Sequence, residues 1–230
     1  MTVLLRFLLS VLFVFSVQVW ANDSSEVSHN EKKTSINSHK NKQTDTDANI
    51  SDPNIRLERF LARLQIKQGI ASFTQQKHLS FLANPIVSKG ILKIYQNSII
   101  WQVQSPVFSK LVIVGDQVWQ WMAQEDNNAP NYQVVVSNAS VETLIRAVFT
   151  GDISQSQWNI SMDEQQCLQL SPNDLVLSQA INYINVCVSD NQSQRFVTIR
   201  DAQDNLTEIE LMITTKQLSD EDIHEFVINP

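Results

Sequence analysis

The chain has 230 residues, of which 43% are hydrophobic and 18% charged, enough apolar surface for one globular domain and too much for a wholly disordered chain. A formal net charge of −7, with no cluster of Lys and Arg beyond the N-terminal third, excludes a duplex nucleic-acid binder, which needs a basic face. Four glycines are too few for phosphate-cradling loops or collagen-like repeats.

Residues 1–21 read as a secretory signal peptide. Arg6 is the only charge, Phe7 to Val17 is an apolar core, and Val19-Trp20-Ala21 ends in a small-x-small site, which places cleavage after Ala21. Cleavage would remove one positive charge and no acid, taking −7 to −8. No Cys stands at or just after the site, so a cysteine-linked lipid anchor is not expected and the product should be free of a stable membrane anchor. Asn22 to Ser51 holds Asn, Ser, Lys, Asp and Thr and almost no large apolar residue; it reads as a disordered polar linker, in which His29 and His39 are solvated rather than metal ligands.

The domain is expected over residues 52–230. Asp52 suits a helix N-cap and Pro53 the first helical position, and Leu57, Phe60, Leu61 and Leu64 follow at helical spacing, with Gly69 closing the helical region. From Gly69 the period becomes two. Strands are expected at Gly69–Leu79, Ser88–Tyr95 and Ser98–Pro106, with Ile99, Trp101 and Val103 on one face. A hairpin follows over Leu111–Trp121, turning at Gly115-Asp116, and a short strand at Tyr132–Val136.

Ala139 to Thr150 interrupts the alternation: Val141, Leu144, Ile145, Val148 and Phe149 recur at helical spacing, with Asn138 or Ser140 as cap and Gly151 at the C-terminal end. Strands resume at Trp158–Met162, Gln166–Leu170, Ile184–Val188, Arg195–Arg200 and Leu206–Thr214. Ser219 to Phe226 begins with Ser-Asp-Glu-Asp, a helix-start signal. Cys167 and Cys187 flank a break centred near Leu177. Antiparallel pairing about that centre puts them opposite one another, where a disulfide can form. They do not lie in a Cys-x-x-Cys motif, and no His is close in sequence, so a metal or redox pair is not expected.

The ordered part resembles the periplasmic outer-membrane lipoprotein carrier family, the LolA-like proteins. Phe73-Thr-Gln-Gln-Lys, Ser88-Lys-Gly-Ile-Leu-Lys-Ile, Trp101-Gln-Val-Gln-Ser-Pro, the hairpin from Leu111 to Trp119 and Leu168-Gln-Leu-Ser-Pro stand in that family's order, over about residues 55 to 226. Tyr95-Gln96-Asn97 carries no Arg where better-known members have one before the third strand, which points to a divergent branch. The resemblance implies a mainly β fold with α-helices: a curled antiparallel sheet forming an incomplete half-barrel covered by helices.

It also implies a periplasmic carrier of a lipoprotein or glycolipid-type lipid, loaded by an inner-membrane exporter and unloaded to an outer-membrane acceptor. The implied cavity lining is Phe73, Leu92, Ile94, Ile99, Trp101, Val103, Trp119 and Trp121, with Phe60 and Leu64 from the first helix. Leu144, Ile145, Val148 and Phe149 would form the lid helix. Within the folded region His78 and His224 are the histidines, and neither a Gly-x-Ser-x-Gly nor a His-Glu-x-x-His motif is present. Glu125-Asp126 and Asp220-Glu221-Asp222 read as solvated acids. Neither catalysis nor a cofactor or metal is expected. The alternative is an accessory interaction module of an envelope lipid-export system, with a fully packed core.

Overall fold

A computed structural model describes residues 53–115, 117–122, 133–135, 146–151, 153, 157–173 and 175–227. The expected signal peptide and polar linker lie outside these residues, as do Leu144 and Ile145. Contacts divide the chain into two units, Met1–Ile55 and Arg56–Pro230, and the sheet belongs wholly to the second.

The first helix, α1, spans Pro53–Leu64 and buries Phe60 and Leu64, one turn apart on one face. It ends earlier than Gly69, which already lies within the first strand. Eleven strands follow: β1 Gln68–His78, β2 Ile86–Tyr95, β3 Ser98–Ser105, β4 Ser109–Val114, β5 Gln117–Met122, β6 Gln133–Val135, β7 Trp158–Met162, β8 Leu168–Pro172, β9 Ile181–Val188, β10 Gln194–Asp201 and β11 Leu206–Thr215. A second helical segment, α2, is described at residues 146–150. Two short helices complete the set, α3 at Leu175–Ser178 and α4 at Asp220–His224.

The strands form one sheet in the order β6-β5-β4-β3-β2-β1-β11-β10-β9-β8-β7, with every pairing antiparallel. It is two meanders joined where β1 meets β11. The ends β6 and β7 are not neighbours, so the barrel is incomplete.

One face is buried along most of its length. On β1 the buried residues are Ala71, Phe73, Gln75 and Lys77, alternating with exposed or half-buried ones. Cross-strand partners share a face, so the register extends this inner face to Leu92 and Ile94, then Ile99 and Trp101, then Leu111 and Ile113 on one side. On the other side it reaches Ile209 and Leu211, then Arg195 and Val197, Val186, and Leu168.

Gly90 is the tightest point on this face. A Cβ there would stand 2.0 Å from the Gln102 carbonyl oxygen and 2.7 Å from the Phe73 ring. Without one, Phe73 lies across β2 and stacks on Trp101, with centroids 3.8 Å apart.

The outer face of β2 to β5 has its own small core. Phe226, just beyond α4, packs with Ile100 and Val112, flanked by Tyr95, Val114 and Trp119. The Ser219 hydroxyl accepts from the Asp222 backbone N–H, and the Asp222 carboxylate accepts from the Ser219 backbone N–H, a complete capping box. Buried Lys93 donates to Asp222 and Glu225, each at 2.6 Å, and Lys110 donates to Glu225 at 2.9 Å.

Burial works against the Lys93 charge, but its bonds to Asp222 and Glu225 win and raise its pKa. Hydrogen bonds from Lys93 and Ser219 lower Asp222 from 3.8 to about 2. Glu225 is opposed by burial and still lowered by Lys93 and Lys110. Depressed carboxylates stabilise the fold fully above their unfolded values and lose that contribution as pH falls through the folded ones. The raised Lys93 contributes below 10.5 and loses its share only at higher pH. The stability gap between the wild type and Lys93→Met should therefore be constant from about pH 6 to 9 and shrink as pH falls from about 5 towards 2. Urea unfolding at several pH values reads this; a gap independent of pH would contradict the clamp.

Cys167, just before β8, and Cys187 on β9 are joined by a disulfide, with Cα atoms 4.5 Å apart and a sequence separation of 20. Closing a loop of that length limits the unfolded chain, so Cys167→Ala with Cys187→Ala should cost roughly 3 kcal/mol. Denaturant unfolding without reductant checks this; a loss below about 1 kcal/mol would show that the crosslink does not constrain the unfolded state.

Candidate functional site

The inner face and α2 make the candidate site. Phe73, Leu92, Ile94, Ile99, Trp101 and Val103 are all buried there, and Trp101 is 1% exposed. On α2, Val148 and Phe149 are buried. The Phe149 ring lies 4.9 Å from Trp101, so Phe73, Trp101 and Phe149 form a row of aromatics inside the curl. Leu64 stands beside Gly151, where a Cβ would meet the Leu64 side chain at 3.3 Å; the end of α2 therefore sits against the end of α1.

Two of the expected lining residues are on the wrong side. The β4–β5 register pairs Val112 with Trp119 and Lys110 with Trp121, on the face opposite to Trp101 and Ile113. Trp119 packs against the Phe226 cluster, and Trp121 meets Phe108 edge-on at 4.5 Å. Val118 holds the inner position that the sequence reading gave to Trp119.

Several buried polar residues on the inner face were missed. Gln75, Lys77, Ser88 and Asp201 lie toward the end of the sheet where β1 meets the β1–β2 loop. Asp201 holds the β10–β11 turn by accepting from the backbone N–H groups of Gln203 and Asn205 and from the Asn205 side chain. Burial lowers the Lys77 pKa, and the Asp201 charge partly restores it. This end of the interior is thus a polar floor.

Arg195, at 2% exposure, lies nearer the opposite end. Its guanidinium donates to the Phe149 carbonyl at 3.2 Å, while its Nε has no partner. No carboxylate pairs with it among the described residues, and burial lowers it to about 10. The sequence signal was present but inverted: hydrophobicity alone turns Phe196 inward, whereas the pairing of Arg195 with Leu211 turns Arg195 inward and leaves Phe196 43% exposed.

Arg146 fixes the other end of the described turn of α2 by donating to the Asn97 and Gly115 carbonyls. Among the described contacts of α2 are the Arg146 and Arg195 hydrogen bonds, the Phe149–Trp101 ring contact and the approach of Gly151 to Leu64.

Three hollows meet around Ile66, between α1 and β1. An apolar one of about 10 Å³ is lined by Ile66, Ala71, Leu92, Ile94 and Ile213. Two larger clefts of about 240 and 480 Å³ open on either side of residues 65–67. Among the described residues these hollows lie at the end of the sheet opposite the polar floor. Among the described residues there is no group of three or more His, Cys, Asp or Glu able to hold a metal, and no helix long and apolar enough to cross a membrane.

The family model for the outer membrane lipoprotein carrier protein LolA matches residues 65–226. No curated protein matches the chain. Among solved structures 38 chains match. One is a LolA superfamily protein from Nitrosomonas europaea, 9% identical, covering 74% of this chain and 96% of that one, with a TM-score of 0.38.

Proposed function

This chain belongs to the LolA family of outer membrane lipoprotein carrier proteins, and on that footing we propose that it is a periplasmic carrier of a lipidated cargo. The acyl chains lie on the inner face of the open sheet, and α2 covers them. The chain performs no covalent chemistry. An inner-membrane exporter loads it and an outer-membrane acceptor receives the cargo; residues 1–21 direct its own export.

The physical need is large. Each buried CH₂ is worth about 0.8 kcal/mol, so one acyl chain requires on the order of ten kcal/mol of shelter in water. An incomplete barrel supplies an apolar face without a reacting group.

The observation that carries this reading is the contact between Phe149 of α2 and Trp101 of the sheet. Phe149, from a helix outside the sheet's hydrogen bonding, lies on Trp101 as an acyl chain would. Withdrawing it exposes a ready apolar wall of Phe73, Trp101, Leu92 and Ile94. The indole N–H groups of Trp101 and Trp158 are buried without acceptors. A buried donor left unpaired costs about 1–3 kcal/mol, and the ester carbonyls of a lipid are acceptors of the kind these two lack.

One observation favours the second reading, an interaction module with a packed core. The apolar hollow that the described residues leave behind Ile66, about 10 Å³, is at the lower limit for one water and far below the volume of an acyl chain. The two readings differ in whether α2 withdraws. Mass spectrometry of the protein purified from its own periplasm separates them. Carriage predicts a co-purifying acylated molecule; none, together with no uptake of a fluorescent fatty acid, would leave the interaction module.

A further inference from the structure

The 240 Å³ cleft beside Ile66 differs in chemistry from the rest of this acidic protein. Its charged lining is cationic throughout: Arg63, Lys67, Arg195 and Lys216, with amides from Gln68 and Gln192 between them. With a net charge of −7 over the chain, four cations around one cleft are not its background composition.

Arg63 is partly engaged, donating to the Val188 and Ser189 carbonyls, and it lies 4.0 Å from the exposed carboxylate of Asp190, which does not line the cleft. Lys67 and Lys216 have no carboxylate partner among the described residues. Arg195 is the decisive member. It is almost wholly buried, its Nε is unpaired, and it lines this cleft from within. A guanidinium withdrawn from water without a counter-charge is costly, and an anion arriving beside it removes that cost.

Ile66 and Ile213 line both this cleft and the small apolar hollow behind it. A charged group in the cleft is therefore continuous with the apolar wall, which is the layout of an amphiphile with its head outside and its tail within.

We propose that this cleft binds the anionic headgroup, phosphate or carboxylate, of the carried amphiphile, with Arg195 at its base and Lys67 and Lys216 at its rim. The assignment rests on the carrier reading and narrows it to anionic cargo. Charge-assisted hydrogen bonds from a guanidinium fork fix the head, and the tail runs past Ile66 onto the inner face. Arg195 also donates to the Phe149 carbonyl, so an anion at Arg195 competes with the bond that holds the end of α2.

The test compares two lipids of equal chain length, lauroyl lysophosphatidic acid and monolauroylglycerol, with inorganic phosphate alone as a third probe, all titrated into the full-length protein. The wild type should bind the phosphate-bearing lipid at least about tenfold more tightly than the neutral one, a preference worth about 1.4 kcal/mol. Arg195→Gln should reduce the ratio of the two affinities to about one; the ratio is the readout because the lost bond to the Phe149 carbonyl changes the affinity for both lipids alike. Lys67→Gln with Lys216→Gln, both at exposed positions that the fold does not need, should do the same in part.

Equal affinities in the wild type, or a preference surviving both variants, would overturn the headgroup site while leaving carriage intact. Inorganic phosphate binding as tightly as the phosphate-bearing lipid would overturn it too, by making the cleft a site for a free anion. If neither lipid binds, the carrier reading falls and the headgroup site with it.

Discussion

Gly90→Ala should cost about 3 kcal/mol or more of folding stability, although it adds one methyl group. The new Cβ would stand 2.0 Å from the Gln102 carbonyl oxygen, a backbone atom of the neighbouring strand, so no rotamer change relieves it. It would also meet the Phe73 ring at 2.7 Å and force that ring off Trp101. Overpacking a core usually costs about 1–3 kcal/mol because flexible side chains give way; here one obstacle is the sheet itself, and the β2–β3 pairing must open to admit the methyl. Denaturant unfolding measures the loss, and near-ultraviolet circular dichroism should lose the signal of the stacked pair. A variant within about 0.5 kcal/mol of wild type, in the range of ordinary surface changes, would show that the close approach is not required.

The second large effect separates lid from core. Phe149→Asp puts a carboxylate against Trp101, where its charge has no solvent, so α2 should stand away from the sheet. If α2 is a lid that opens at small cost, its loss subtracts from global stability no more than that opening free energy. Stability should then fall by about 2 kcal/mol, less than the 3–5 kcal/mol expected when a core Phe is removed. Acyl binding should suffer more. Uncovering about four CH₂ groups at about 0.8 kcal/mol each is worth roughly 3 kcal/mol, or about a hundredfold in affinity. Paired unfolding and fatty-acid titrations read the two losses. A stability loss of about 4 kcal/mol or more would make α2 part of the permanent core.

Most of the sheet was legible because its strands alternate and its turns are marked. Trp158–Met162 is a strand at the bounds read from the sequence, and the Gly115 turn divides β4 from β5 as expected. Alternation failed where both faces are buried. Val112 and Trp119 are covered by Phe226 from a segment more than a hundred residues away, so hydrophobicity along β5 could not say which side faces inward. The register could have done so. Counting back from the Val114–Gln117 pair sets Ile113 opposite Val118 and Val112 opposite Trp119, which puts both tryptophans outside. Arg195 was hidden by the opposite error, since a charged residue in a strand is assigned to solvent unless something marks its neighbour Phe196 as the exposed one. The contacts that bury it, with β11 and with the carbonyl of Phe149, join distant parts of the chain and leave no local pattern.

Tryptophan quenching by a fatty acid brominated along its chain reports where the tail of the cargo lies. The protein carries Trp101 and Trp158 on the inner face, and Trp119 and Trp121 on the outer one. A tail on the inner face should quench the wild type, and Trp101→Phe should remove a large share of that quenching while Trp119→Phe removes little. Quenching that is absent, or that disappears with Trp119→Phe and persists with Trp101→Phe, would contradict an acyl chain inside the sheet.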